Sequence, residues 1–143
     1  SQERCHIINT SSMAGIIVGP ALAPYTTTKH AVVGLTRTLH EDLADNDKVG
    51  VSVLCPGLVQ TNIIERDHLG LDLDESSIDQ HESAKNNAQW LADGVKEGMS
   101  PEDLAIIVFK KIENNEFWIL THPEFIEVYS GYSTELIESS TKE

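Results

Sequence analysis

The chain has 143 residues, 40% of them hydrophobic and 23% charged, enough for one ordinary domain with an apolar core. A formal net charge of −13 argues against a nucleic-acid partner, which needs clustered Lys and Arg to meet phosphate. No apolar run is long enough to span a bilayer, and Ser1-Gln2-Glu3-Arg4 does not read as a leader, so a soluble cytoplasmic protein with no membrane partner is expected.

The first predicted element is a strand over about 5–9, a short apolar run that reads as a buried parallel strand. A Gly-, Ala- and Pro-rich loop follows to Pro24, which suits the first turn of a helix. That helix is expected over about 25–44, with Val32, Leu35, Leu39 and Leu43 recurring at helical spacing until Asp45-Asn46-Asp47 ends it. A second apolar strand covers 49–54 and is stopped by Pro56-Gly57. The stretch 58–100 is long, polar and acidic, with a helix expected over about 74–96.

Ser100-Pro101-Glu102-Asp103 is a helix start: a capping serine, a proline and acids at the positive end of the dipole. This helix, about 101–114, carries Ile106, Ile107, Phe109 and Ile112. A third strand is expected at 117–121, then a terminal amphipathic helix over 123–138, interrupted around Gly131. Strands alternating with helices imply an α/β fold with parallel pairing and right-handed crossovers. Cys5 and Cys55 are expected as buried, free thiols acting as small apolar fillers. The acids at 72–82 and 135–143 read as solvated surface. Trp90 and Trp118 read as packing residues, and the six histidines show no paired ligand spacing, so no metal is assigned.

The chemistry-bearing pattern is Tyr25-Thr26-Thr27-Thr28-Lys29, with Ser12 thirteen residues before Tyr25. Positions i and i+4 share a helix face, so a phenol and an ammonium can enter one site. A phenol titrates near about 10 in water, and a fixed cation about 4 Å away is enough to bring proton exchange toward neutrality. A tyrosine, a lysine and a serine so placed make a proton-transfer site for an alcohol or a carbonyl.

The pattern resembles the short-chain dehydrogenase/reductase family. Ile7-Ile8-Asn9-Thr10-Ser11-Ser12-Met13-Ala14-Gly15 looks like the family's fifth strand running into its catalytic serine. Tyr25 and Lys29 match its Tyr-x-x-x-Lys, and Cys55-Pro56-Gly57-Leu58-Val59-Gln60-Thr61 looks like its sixth strand ending in Pro-Gly-x-Val-x-Thr. The family's glycine-rich cofactor turn and its Asn-Ala-Gly segment do not occur in these residues, so the whole of 1–143 reads as the C-terminal half of one Rossmann-type, doubly wound oxidoreductase domain.

The resemblance implies an oxidoreductase using NAD or NADP, without choosing between them, to interconvert a secondary alcohol and a ketone of small to medium size. It makes Tyr25 the acid/base, Lys29 the cofactor-ribose ligand, and Ser12 (rather than its rival Ser11) the donor to the substrate oxygen. Pro56, Gly57, Val59 and Thr61 become cofactor contacts, Met13 a substrate contact, and 58–100 a lid over the substrate. A homodimer or tetramer is implied, through the Tyr25 helix and the last strand. The other reading open at this point is a truncated, non-catalytic remnant that at most pairs with a full-length subunit. Strand 5–9 would be an open inner edge, so the chain alone is expected to be poorly soluble or partly unfolded.

Overall fold

The computed structural model describes residues 4–64 and 82–141. Three strands, β1 (Cys5–Thr10), β2 (Val49–Cys55) and β3 (Trp118–Leu120), form one sheet in the order β1-β2-β3. Both pairings are parallel, with Ile7 opposite Val51 in the first and Leu54 opposite Ile119 in the second. The helices are α1 (Ala23–Asp42), α2 (Glu82–Lys96), α3 (Pro101–Glu113) and α4 (Ile126–Thr141). Residues 74–81 of the expected second helix, and 65–81 of the expected lid, lie outside the described residues.

Local chemistry explains the helix ends. Ser100 caps α3, its hydroxyl accepting the Asp103 N–H at 3.1 Å, with Pro101 in the first turn and Glu102 and Asp103 at the positive end. Asn115, just past α3, takes a left-handed φ of 53°, which asparagine tolerates better than most residues. Pro24 stands in the first turn of α1, which begins two residues earlier than expected because Ala23 already has helical geometry.

The core gathers Met13, Ile16, Val53, Cys55 and Phe117, with Ile17, Val33, Leu120 and Phe125 packed against them. The hydroxyls of Ser52 and Thr36, both without exposure, are satisfied internally. Ser52 donates to the Glu116 carbonyl at 2.6 Å and meets His6 Nε2 at 2.7 Å, while Thr36 donates to the Val32 carbonyl and receives Asn9 Nδ2 at 3.1 Å.

Several expectations are corrected. Cys5 is exposed rather than buried, because β1 has a strand on one side only; Cys55, on the central strand, is buried. Leu35 is 66% exposed, and the fully buried position of α1 is its neighbour Thr36, whose hydroxyl has the two partners above. Trp90 and Trp118 are exposed at 57% and 39%, while Phe117 and Ile119 fill the interior beside Trp118. The last helix starts at Ile126, after a 3-10 turn at Pro123–Phe125, and runs unbroken through Gly131 to Thr141. It buries no residue, so it has no core-facing stripe.

Candidate functional site

Parallel strands deliver their C-terminal ends to a single edge of the sheet, where α/β proteins usually place their ligands. Here that edge carries Ser11-Ser12 after β1, Pro56-Gly57 after β2 and Thr121-His122 after β3. Backbone bonds join the first two turns: Ser11 N–H donates to the Leu54 carbonyl at 2.7 Å and Met13 N–H to the Pro56 carbonyl at 2.8 Å. The Gly57 N–H joins the third, reaching His122 Nδ1 at 3.1 Å and Thr121 Oγ1 at 3.3 Å.

α1 meets the same edge through a close approach at Gly15. A Cβ there would lie 2.3 Å from Ser11 Oγ and 2.8 Å from the Lys29 carbonyl, so only glycine lets the serine turn sit against the helix. The Ser11 hydroxyl uses the contact, donating to the Lys29 carbonyl at 2.8 Å, and the residue is 3% exposed. Ser12 behaves differently. Its oxygen accepts the Ala14 N–H at 3.1 Å and caps the 3-10 turn Met13–Gly15, while its own proton has no acceptor among the described residues.

Tyr25 and Lys29 share a face of α1, with Lys29 Nζ 5.6 Å from the centre of the Tyr25 ring. The phenol is 41% exposed, and Lys29 makes no ion pair among the described residues. Ala21, just before α1, holds a left-handed φ of 57°, a conformation that alanine reaches only with strain and that fixes how the chain enters the helix. Asn87 of α2 donates to the Pro20 carbonyl and ties that helix to the same turn.

Cys55 lies under this cluster. Burial pushes its thiol up to about 11, against the smaller opposing pull of the Ser12 backbone, the Ser11 hydroxyl and the Lys29 charge. It is a neutral floor for the site rather than a nucleophile.

Beyond Gly57, Val59 forms a parallel bridge with Met99: Met99 N–H donates to the Leu58 carbonyl at 3.0 Å and Gln60 N–H to the Met99 carbonyl at 2.9 Å. In that pattern the N–H and carbonyl of Val59 itself point away from Met99. Thr61 is exposed and lines an open cleft of about 340 Å³ with Gln60, Asn62, Ile64, Val95 and Lys96. Met13, expected to line the substrate, instead has its side chain in the core at 4% exposure, because its backbone is pinned to Pro56. The sequence reading missed His122 and Met99. The signal for His122 was available: it follows the third strand on the edge where the other two motifs end.

Comparison with known proteins points to one family. Residues 1–70 match the family model described as short chain dehydrogenase. A CLA biosynthesis dehydrogenase/reductase of Lactiplantibacillus plantarum is 32% identical over 130 residues, covering 87% of this chain and 46% of that protein. A 1-deoxy-11-beta-hydroxypentalenate dehydrogenase of Streptomyces exfoliatus is 31% identical over 119 residues, 83% of this chain and 36% of that protein. The solved structure of a short chain dehydrogenase/reductase from Burkholderia phymatum in complex with NAD aligns with a TM-score of 0.80 and 34% identity, over 94% of this chain and 49% of that one.

The chain belongs to the short-chain dehydrogenase/reductase family. It spans under half the length of these two curated relatives and about half of the solved chain. Among the described residues no helix is long and apolar enough to cross a membrane.

Proposed function

We propose that the protein is a nicotinamide-dependent oxidoreductase that interconverts a secondary alcohol and a ketone. The observation that carries this reading is the convergence of the Ser12 turn, the Tyr25–Lys29 face and the Pro56-Gly57 turn, joined by the Met13–Pro56 and Ser11–Lys29 hydrogen bonds.

The residues present fit the nicotinamide end of NAD or NADP: Lys29 has no ion-pair partner among the described residues, the Val59 amide points away from its Met99 bridge, and Thr61 stands at an open cleft. When bound, the nicotinamide supplies or accepts the hydride. Lys29 holds the ribose hydroxyls beside the Tyr25 ring. Tyr25 gives its hydroxyl proton to the substrate oxygen in reduction and takes it back in oxidation. Ser12, with its proton uncommitted, donates to the same oxygen and steadies developing negative charge, a role closed to Ser11. Leu35, 66% exposed on the helix that carries Tyr25, belongs to a face through which the assembled enzyme forms a dimer or tetramer.

Titration with NADH and NADPH, followed by nicotinamide fluorescence, tests the binding; turnover of a panel of secondary alcohols tests the chemistry. Tyr25→Phe is expected to lower turnover about 10²- to 10⁴-fold, and near-normal turnover in that variant removes the acid/base assignment. Ser12→Ala is expected to cost about 10²- to 10³-fold.

A second reading is favoured by the outer edge of β1, which has no strand partner among the described residues. In it the chain acts only by pairing with a longer subunit. Nicotinamide binding by this chain at ordinary affinity excludes it, whereas binding only after mixing with a full-length relative supports it.

A further inference from the structure

We infer that His122 is a positioning residue that latches the Pro56-Gly57 turn through its unprotonated Nδ1, and releases the turn when it is protonated. The consequence for cofactor affinity rests on the reading above that this turn faces the nicotinamide; the latch itself does not.

The geometry begins at Gly57. Its N–H reaches His122 Nδ1 at 3.1 Å, and an N–H can only donate, so Nδ1 must offer a lone pair. The ring hydrogen then belongs on Nε2. Thr121 Oγ1 lies 2.7 Å from the same Nδ1, to which its hydroxyl donates in this tautomer, and 3.3 Å from the Gly57 nitrogen, for which it is a second and longer acceptor. The ring also fills the space where a side chain at Gly57 would stand: a Cβ would fall 2.5 Å from its Cγ and 2.6 Å from Nδ1. Glycine at this position therefore admits the histidine.

A proton on Nδ1 reverses the contact. Two N–H groups would then face each other at the distance that now holds a hydrogen bond, and Nδ1–H would claim Thr121 Oγ1 as its own acceptor. The Gly57 amide keeps only a shared, longer contact. The ring's other neighbour is the Phe125 ring, 6.2 Å away between centroids, which does not ionise. Cys55, the titrating group of β2, is a neutral thiol until about pH 11, and on α1 Lys29 acts on that thiol. Glu124, in the 3-10 turn after His122, is exposed, and no carboxylate among the described residues forms an ion pair with the ring. Nothing charged replaces the lost acceptor.

The test is a pH titration of the full chain by nitrogen-15 NMR, run beside NADH affinity. The Gly57 amide shift is expected to follow the His122 ring nitrogens with one shared midpoint. His122→Asn keeps an acceptor at the Nδ1 position without a titrating group, so its Gly57 amide should stay at the alkaline position throughout. His122→Phe keeps an aromatic ring but removes the acceptor, and should hold the amide at a displaced, pH-independent position. NADH dissociation constants should rise about three- to tenfold on acidification in the parent, the worth of one net hydrogen bond, and stay flat in His122→Asn. A Gly57 amide that ignores the His122 titration overturns the latch. An NADH profile in His122→Asn that matches the parent's overturns its link to the cofactor. If the parent binds neither NADH nor NADPH at any pH, the proposed function falls, and the amide titration still decides the latch.

Discussion

β1 and β2 are built from the same kind of sequence, short and rich in valine or isoleucine, yet they meet opposite fates. From Val51 to Cys55 every residue of β2 is buried, whereas every residue of β1 is exposed or half-buried, with Ile7 37% exposed. The difference lies in their neighbours. β2 is hydrogen-bonded along both edges and β1 along one. Even the polar residue of β2 follows this rule: Ser52 has no exposure because His6 on one side and the Glu116 carbonyl on the other satisfy it. The burial of a parallel strand is thus set by what flanks it more than by its own letters.

The two cysteines give the largest expected contrast. With its thiol pushed up to about 11 and no exposure, Cys55 offers about one thiolate in a thousand at pH 8, and a reagent cannot reach it. Cys5 is exposed on β1. A thiol-disulfide reagent is expected to label Cys5 at once and Cys55 at least about 100-fold more slowly until the chain is unfolded. Similar rates would break the comparison. The same shift carries a sign: the folded thiol lies above its ordinary 9.0, so protonation favours the fold below pH 9, and that stability is lost as pH rises toward about 11. Cys55→Ala should therefore flatten the alkaline loss of stability seen in thermal melts.

Core truncation measures the same difference at smaller scale. Val53, with no exposure, is expected to lose about 2–3 kcal/mol on Val53→Ala, while Ile7→Ala costs under about 1 kcal/mol, both read from urea unfolding. Equal costs would mean that the outer face of β1 is covered in solution.

The parts of the molecule that could be read from the sequence are those where one residue type answers a local need. Pro56-Gly57 ends a strand, Ser100 caps a helix, and Tyr25 with Lys29 marks one face of another. What could not be read depended on partners distant in sequence. Leu35 fits the apolar period of α1, but the helix turns Thr36 inward because Asn9, 27 residues away, supplies a partner for its hydroxyl. Met13 follows the serine motif, yet its backbone bond to Pro56 sends its side chain into the core. His122 follows the third strand, on the edge where the other motifs end, but its contact with the Gly57 amide, 65 residues away, exists only in the fold.

The smallest expected effect concerns α4, the helical counterpart of β1 in lacking neighbours. A glycine in a helix interior reads as a break, and the sequence predicts one at Gly131, but the helix passes through it and a Cβ added there meets nothing within 4 Å. Gly131→Ala should then favour the helix by about 0.5–1 kcal/mol, through lower backbone entropy in the unfolded chain. At Gly15 the same substitution has the opposite sign, a cost of about 1–3 kcal/mol, because its Cβ would strike the Lys29 carbonyl. Since α4 buries no residue, the gain from Gly131→Ala should appear as added helicity in circular dichroism while the midpoint of global unfolding stays in place. A midpoint that rises with the helicity would show that α4 is docked on the rest of the fold in solution, and a midpoint that falls would show that the space beside Gly131 is filled there.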